Sequence, residues 1–270
     1  MAIITVSREM GSGGIPIAHK AAEKLGYTLI DGEAIAKVAP SYGLTQESIE
    51  KADEKPPAFV EKLDEQSEVD LHHIQLIILE YALKGNVIIY GRGGQDLLKG
   101  IESVLRCRII APFELRVERW AEREWLDPDL ARIMVRKNDQ QRAGFIKYYF
   151  DRDWEDPLGY DLIVNTERLS EEMAVKLICT GVKDKNLVEQ KDTSKKILSD
   201  LILKKKAEIA VLSSQEIEAH HMGVTVDQGV ITLEGHVHSD KERRTALDLV
   251  GRIPSAEEVV DHLKVIEYRT

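Results

Sequence analysis

The chain has no run of 18 or more apolar residues, so no membrane-spanning helix is expected. It has only two cysteines, Cys107 and Cys179. Both sit in apolar segments, without metal-ligand spacing or a disulfide framework, and read as buried thiols. It lacks a basic excess: 37 Lys and Arg stand against 47 Asp and Glu, a net charge of −10 over 270 residues. That argues against broad nucleic-acid binding, which needs a basic surface, but leaves room for a local basic pocket that takes a phosphorylated small molecule. The opening "MAIITVSRE" lacks a basic start, a long apolar stretch and a cleavage site. It reads as a first β-strand and not as a secretory leader, and the cytoplasm is the expected address.

One absence is local. "SREMGSGGIPIA", from Ser7, carries the glycines of a phosphate loop but no lysine. A strand, a glycine turn and a helix start make an anion site, because backbone N–H groups and the positive end of the helix dipole point at the ligand. Gly11, Gly13 and Gly14 let the backbone approach phosphate oxygens, and Pro16 suits the first helical turn. Three readings stay open for the loop alone. As GxxxxGK[ST], it places Arg8 at the first glycine, Gly14 at the lysine and Ile15 at the hydroxyl. As GxGxxG, it has Asp31 about 20 residues on but Pro16 at the third glycine. The third reading is a tight turn with no ligand.

What is present is an alternation. Apolar runs at Ile3–Val6, "YTLID", "NVIIYG", "RCRIIA" and "YDLIVNT" are separated by helical patterns, including "LHHIQLIILEYALKG", "FELRVERWAERE" and "SEEMAVKLICTG" with Ser170 as N-cap. Strands alternating with helices predict a parallel sheet flanked by helices. "GVKDKNLVEQKDTSKK" is polar with almost no apolar period and reads as a linker over 182–193. Beyond it come a helix from about Ser194 to Glu208, a hairpin around Asp227-Gln228-Gly229, a helix from about Asp240 to Gly251 and a last strand. The domains expected are therefore 1–181 and 194–270.

Arg92 follows a buried strand, where open parallel sheets bind ligands, and faces the same expected crevice as the loop. Arg116, Arg119 and Arg123 recur at helical intervals, and Arg142, Lys147 and Arg152 follow in a stretch rich in Tyr and Phe. Phosphoryl transfer needs positive charge around the moving group and exclusion of water, which arginines on a helical flap provide. The plain alternative is a solvated helix, since Glu114, Glu118, Glu122 and Glu124 interleave.

"ITVSREMGSGGIPIAHKAAEKLGYTLID", "NVIIYGRGG", "RCRIIAPFELRVERWAERE" and "DRDWEDPLGYDLIVNTERLS" together resemble the cytidylate-kinase-like family over about residues 1–180. The resemblance implies a P-loop α/β sheet with a helical lid, and ATP with Mg²⁺ as cofactors. By it, Gly11, Ser12, Gly13 and Gly14 would hold the ATP phosphates, with Arg8 or Lys20 in place of the lysine. Arg92 would bind the acceptor phosphate, Asp31 would lie near the acceptor nucleotide, and Arg116, Arg119 and Arg142 would be the arginines in and leading to the lid. True cytidylate kinases have a lysine at Gly14, a small or hydroxyl residue at Ile15 and an aspartate at Gly93; the related branch has an arginine at Ile15. This chain has none of these.

"IEAHHMGVTVDQGVITLEGHVHSDKERRTALDLVGRIPSAEEVVDHLKVIEY" resembles a BON domain, with Ser255 where glycine is usual. Such domains are non-catalytic and imply a phospholipid surface or protein partner. Lys204-Lys205-Lys206 reads as a solvated helix face sooner than a lipid contact. His72-His73 and His220-His221 have no evident third ligand, so no metal is expected. Asp64-Glu65 reads as part of a solvated segment. The leading expectation is ATP-dependent phosphorylation of a nucleoside monophosphate such as CMP or dCMP. The rivals are a catalytically weak nucleotide sensor acting through the BON-like domain, and an interaction protein whose first domain is scaffold.

Overall fold

The computed structural model describes residues 2–51, 54, 65–218 and 221–266; Pro56-Pro57, Asp64 and His220 lie outside them. The five apolar runs form one parallel sheet: β1 (Ile3–Arg8), β2 (Thr28–Ile30), β3 (Val87–Tyr90), β4 (Val104–Ile110) and β5 (Leu162–Asn165). Their order is β2-β3-β1-β4-β5, with Ile4 between Ile88 and Leu105. Ile3 to Val6 are all buried because helices cover both faces of the sheet.

The helices are α1 (Gly14–Leu25), α2 (Gly32–Val38), α3 (Gln46–Lys51), α4 (Glu65–Lys84), α5 (Gly94–Leu97), α6 (Phe113–Glu124), α7 (Pro128–Phe150) and α8 (Glu171–Gly181). Gly26 (φ 66) ends α1 in the left-handed region that spares glycine a Cβ clash. Asp31 caps α2 by accepting from Ala34 N, and Ser170 caps α8 by accepting from Met173 N. The flap is a pair of helices, α6 and α7. The start of α7 is written in the chain, since Pro128 opens it and Asp127 accepts from Asp129 N and Leu130 N.

Residues 182–193 correct the linker reading, because most of them are helical. α9 (Lys185–Glu189) is followed by α10 (Lys191–Leu212), which starts before Ser194. Ser194 is buried and accepts from Ser103 N, so even the polar first turns make specific contacts. Leu198 and Ile202 of α10 belong to a core with Ile74, Ile77 and Ile78 of α4. One turn further, Leu203, Ala207 and Val211 belong to a second core with Ile231, Leu233 and Val250. A single helix thus contributes to both domains.

Polar contacts reinforce this junction. Lys205 lies 2.6 Å from Glu208, Glu208 lies 3.1 Å from His72, and Lys206 lies 3.1 Å from Glu80. Burial pushes the Glu208 carboxyl up, but His72 and Lys205 outweigh it and hold the group at about 2. The lysine triplet is therefore more than a solvated face, since all three ammonium groups lie within 4 Å of Glu208 or Glu80 near the α4–α10 contact. The second domain has β6 (Met222–Asp227) and β7 (Val230–Val237) joined at Gln228 (φ 49) and Gly229 (φ 82). α11 (Asp240–Gly251) leads to β8 (Glu258–Val265), which pairs parallel with β7. Ser255 has φ 79, a conformation glycine adopts more easily. Among the described residues, no helix is long and apolar enough to cross a membrane.

Candidate functional site

The loop from β1 to α1 is shaped by two left-handed glycines, Gly11 (φ 81) and Gly13 (φ 85). A Cβ on Gly11 would strike the Arg116 carbonyl, so the loop can press against α6 only with glycine there. Ser12 is buried and its hydroxyl donates to Glu9 O at 2.8 Å. Its contribution to a ligand is therefore main chain, not side chain. The carbonyl of Ser12 accepts from Thr166 Oγ1 at 2.8 Å, and Thr166 in turn accepts from Arg119 on both Oγ1 (3.0 Å) and its carbonyl (2.9 Å). Thr166, just past β5, is a site residue that sequence patterns missed. The only signal for it was its place after a strand end.

Arg116 does not reach the cleft, which corrects its expected place beside the transferred group. It is buried, donating to Ala111 O (2.9 Å), Met10 O (3.0 Å) and Asp139 (2.6 Å), and it lies 3.2 Å from Glu9. Asp139 also accepts from Met10 N at 2.9 Å. Together they hold the loop from behind. Arg108 has a similar role: it lies 4.1 Å over the Trp154 ring, whose indole N–H donates to Ser7 Oγ at 2.9 Å.

The missing lysine has a steric cause. A Cβ on Gly14 would stand 2.7 Å from Arg8 Cβ and 2.9 Å from Arg8 Cγ, so the stem of Arg8 fills that space. The Arg8 guanidinium stacks 4.2 Å over the Tyr90 ring and pairs with Glu54 at 2.8 Å. Lys20, the other proposed substitute, is pinned instead by Glu171 at 2.7 Å and Glu172 at 3.4 Å. Arg142 Nε also donates to Glu54, at 3.2 Å. Burial by itself pushes the Glu54 carboxyl up, but Arg8, Arg142 and Arg92 outweigh it and hold the group at about 2. Burial and the neighbouring Arg8 lower the pKa of Arg142.

A cavity of about 560 Å³ opens over the loop, a size suited to a small-molecule ligand. Its lining includes Gly11 to Gly14, Arg8, Tyr90, Arg119, Arg123, Arg142 and Thr166. Arg92 and Asp31 do not line it. The Arg92 guanidinium lies instead beside Gly32, 3.2 Å from where a Cβ there would stand, while its amide donates to Glu54. Among the described residues, no three His, Cys, Asp or Glu side chains gather as a metal-binding group.

The model of the cytidylate kinase-like family matches residues 3–168, and that of the BON domain matches residues 199–267. A cytidylate kinase of Natronomonas pharaonis is 31% identical over 169 residues, covering 62% of this chain and 82% of its own. One of Methanopyrus kandleri is 27% identical over 199 residues, covering 70% and 96%. The crystal structure of an uncharacterized protein from Eubacterium ventriosum has a TM-score of 0.55 at 21% identity, covering 68% of this chain and all of that one. That likeness concerns the fold.

Proposed function

Since this chain belongs to the cytidylate kinase-like family, we propose that its first domain transfers a phosphoryl group from ATP to a nucleoside monophosphate, CMP or dCMP first among them. The observation that carries this reading is the exchange of Gly14 for Arg8. The chain loses an ammonium group from the helix start, and the stem of Arg8 fills the space while its side chain lines the same cavity. Phosphoryl transfer asks the protein for positioning and charge more than for acid–base chemistry, and a guanidinium supplies both.

In this reading the amides of Gly11 to Gly14 hold the ATP phosphates. Arg8 and Arg142 stand between the transferred group and the acceptor phosphate, and Arg119 and Arg123 close the flap side. Arg92 and Asp31, gathered near Gly32, serve the acceptor. Mg²⁺ would arrive with ATP and would supply charge neutralisation at its phosphates. The residues present fit that ion only as a nucleotide-borne one. Ile15 offers no hydroxyl, Ser12 Oγ is turned onto Glu9 O, and Glu171, the cavity carboxylate nearest α1, is paired with Lys20. Mg²⁺ commonly keeps several waters and binds through substrate phosphates, which suits such a site.

One observation favours a second reading. Arg8 and Arg142 are both engaged by Glu54, as expected of a weakly catalytic sensor whose output passes through α10 to the BON domain and its lipid or protein partner. An ADP-formation assay on the full chain with Mg·ATP and CMP, dCMP, UMP or AMP separates the two. The kinase reading expects ADP, reduced at least about a hundredfold in Arg8→Ala. ADP no greater than in that variant refutes it. A rise in melting temperature with ATP but no turnover selects the sensor, and no rise removes both.

A further inference from the structure

Two guanidinium groups and one main-chain amide converge on a single carboxylate. Glu54 accepts from Arg8 Nη1 at 2.9 and 2.8 Å, from Arg142 Nε at 3.2 Å, and from the Arg92 amide. The turn that supplies the amide is tightly wound. Gly91, Arg92 and Gly93 have φ of 71, 59 and 66°, three left-handed residues in succession. The left-handed φ of Gly91 favours glycine there, and a Cβ would displace the tips of the Arg8 and Glu54 side chains.

Among the described residues the charges do not balance. Arg8 and Arg142 bring two positive charges and Glu54 one negative. The next carboxylate, Asp139, lies 3.8 Å from Arg142 and already accepts from Arg116 and from Met10 N. A phosphomonoester dianion would match the pair better, with two charges and three acceptor oxygens for guanidinium forks.

We infer that Glu54 is an internal substitute for phosphate: its carboxylate occupies an anion seat made by Arg8, Arg142 and the Arg92 amide, and a phosphomonoester dianion binds there by exchanging with it. This deepens the phosphotransferase reading and rests on it. The seat communicates with the cleft because Arg8 and Arg142 line the cavity over the phosphate loop. Among the described residues, the charged and titratable groups facing Glu54 are Arg8, Arg92, Arg142 and Tyr90, and the three arginines hold it ionised far below neutral pH. The ligand, not a proton, drives the exchange. A ligand that must displace a resident group binds with an affinity reduced by the fraction of molecules in which the seat is open.

The test titrates inorganic phosphate and CMP by calorimetry into the full chain and into Glu54→Gln, which keeps the shape and removes the charge. Binding at least about tenfold tighter in the variant is expected, with the gain abolished in Arg8→Ala/Glu54→Gln. Equal or weaker binding by Glu54→Gln overturns the inference. If that variant does not fold, crystals of the unaltered chain soaked in CMP decide. Phosphate between Arg8 and Arg142, with Glu54 turned away, is expected. Glu54 still seated, whether phosphate binds elsewhere or not at all, overturns it. ADP formation in the same preparations keeps the two ideas apart. Its absence from the unaltered chain refutes the kinase reading, whereas its presence without tighter binding in Glu54→Gln refutes the exchange alone.

Discussion

Two arginine clusters flank the phosphate loop, and they differ in charge balance, not in residue type. Behind the loop, Arg108 and Arg116 face Glu9 and Asp139, two charges against two, and they also donate to the carbonyls of Trp154, Ala111 and Met10. In front of it, Arg8 and Arg142 share Glu54, two against one, beside a cavity. A buried guanidinium with every donor placed on protein acceptors is a brace. One with surplus charge at a cavity wall is a binding group. The difference is invisible in the residue type and plain in the partners.

The largest expected effect lies behind the loop. Arg116→Ala takes the shortest ion pair from Asp139, leaves Glu9 with Arg108 alone and strips two carbonyls of their donor, and urea unfolding should show a loss of about 3–5 kcal/mol. A loss below about 1 kcal/mol would erase the distinction between the clusters.

Acid probes the front cluster. The Glu54 carboxyl is held at about 2, against an ordinary 4.5. A depressed carboxyl contributes stability that is complete above its unfolded value and disappears as pH falls toward the folded one. The window is thus from about 4.5 down to about 2, and the contribution is on the order of 3 kcal/mol. Glu208 at the domain junction shares this window. Melting temperatures measured at pH 6 and pH 3 should therefore fall less in Glu54→Gln than in the unaltered chain. Equal falls would remove Glu54 from the account.

A third test exchanges the two designs. Gly14→Lys restores the residue usual in a phosphate loop but drives it into the Arg8 stem, an overpacking that costs about 1–3 kcal/mol. ADP formation should fall with it, and Arg8→Gly/Gly14→Lys should recover stability. Faster turnover in Gly14→Lys alone would mean that Arg8 is not the replacement cation. The smallest effect on stability is expected for Lys20→Ala, whose partners are partly exposed carboxylates; the melting temperature should not move measurably.

Much of the architecture was legible. The five apolar runs, the Ser170 cap, the Gly26 stop and the Gln228-Gly229 turn all rest on local chemistry, which acts within a few residues. The roles of the arginines were not legible. Arg116 and Arg119 lie three apart on one helix, yet one is buried behind the loop and the other reaches Thr166 at the cavity wall. Helical spacing gives the face, but partners elsewhere in the chain decide what the face does. Glu54 is 46 residues from Arg8 and 88 from Arg142, beyond any motif. The helices in the 182–193 stretch were not legible for the same reason: its apolar positions, Val182 and Leu187, are too sparse for a period, and they pack on a core with α1 and α8.

By itself the chain determined where it forms strands, where helices start and stop, and that a glycine turn would stand at a helix start. These follow from side-chain periodicity, caps and the φ that glycine allows. The tertiary structure decided which cations face the cavity, that Arg8 takes the space of an absent lysine, and that one helix serves both domains. Those outcomes depend on which charges and apolar faces meet across long stretches of chain, and such encounters are set by the packing of the whole.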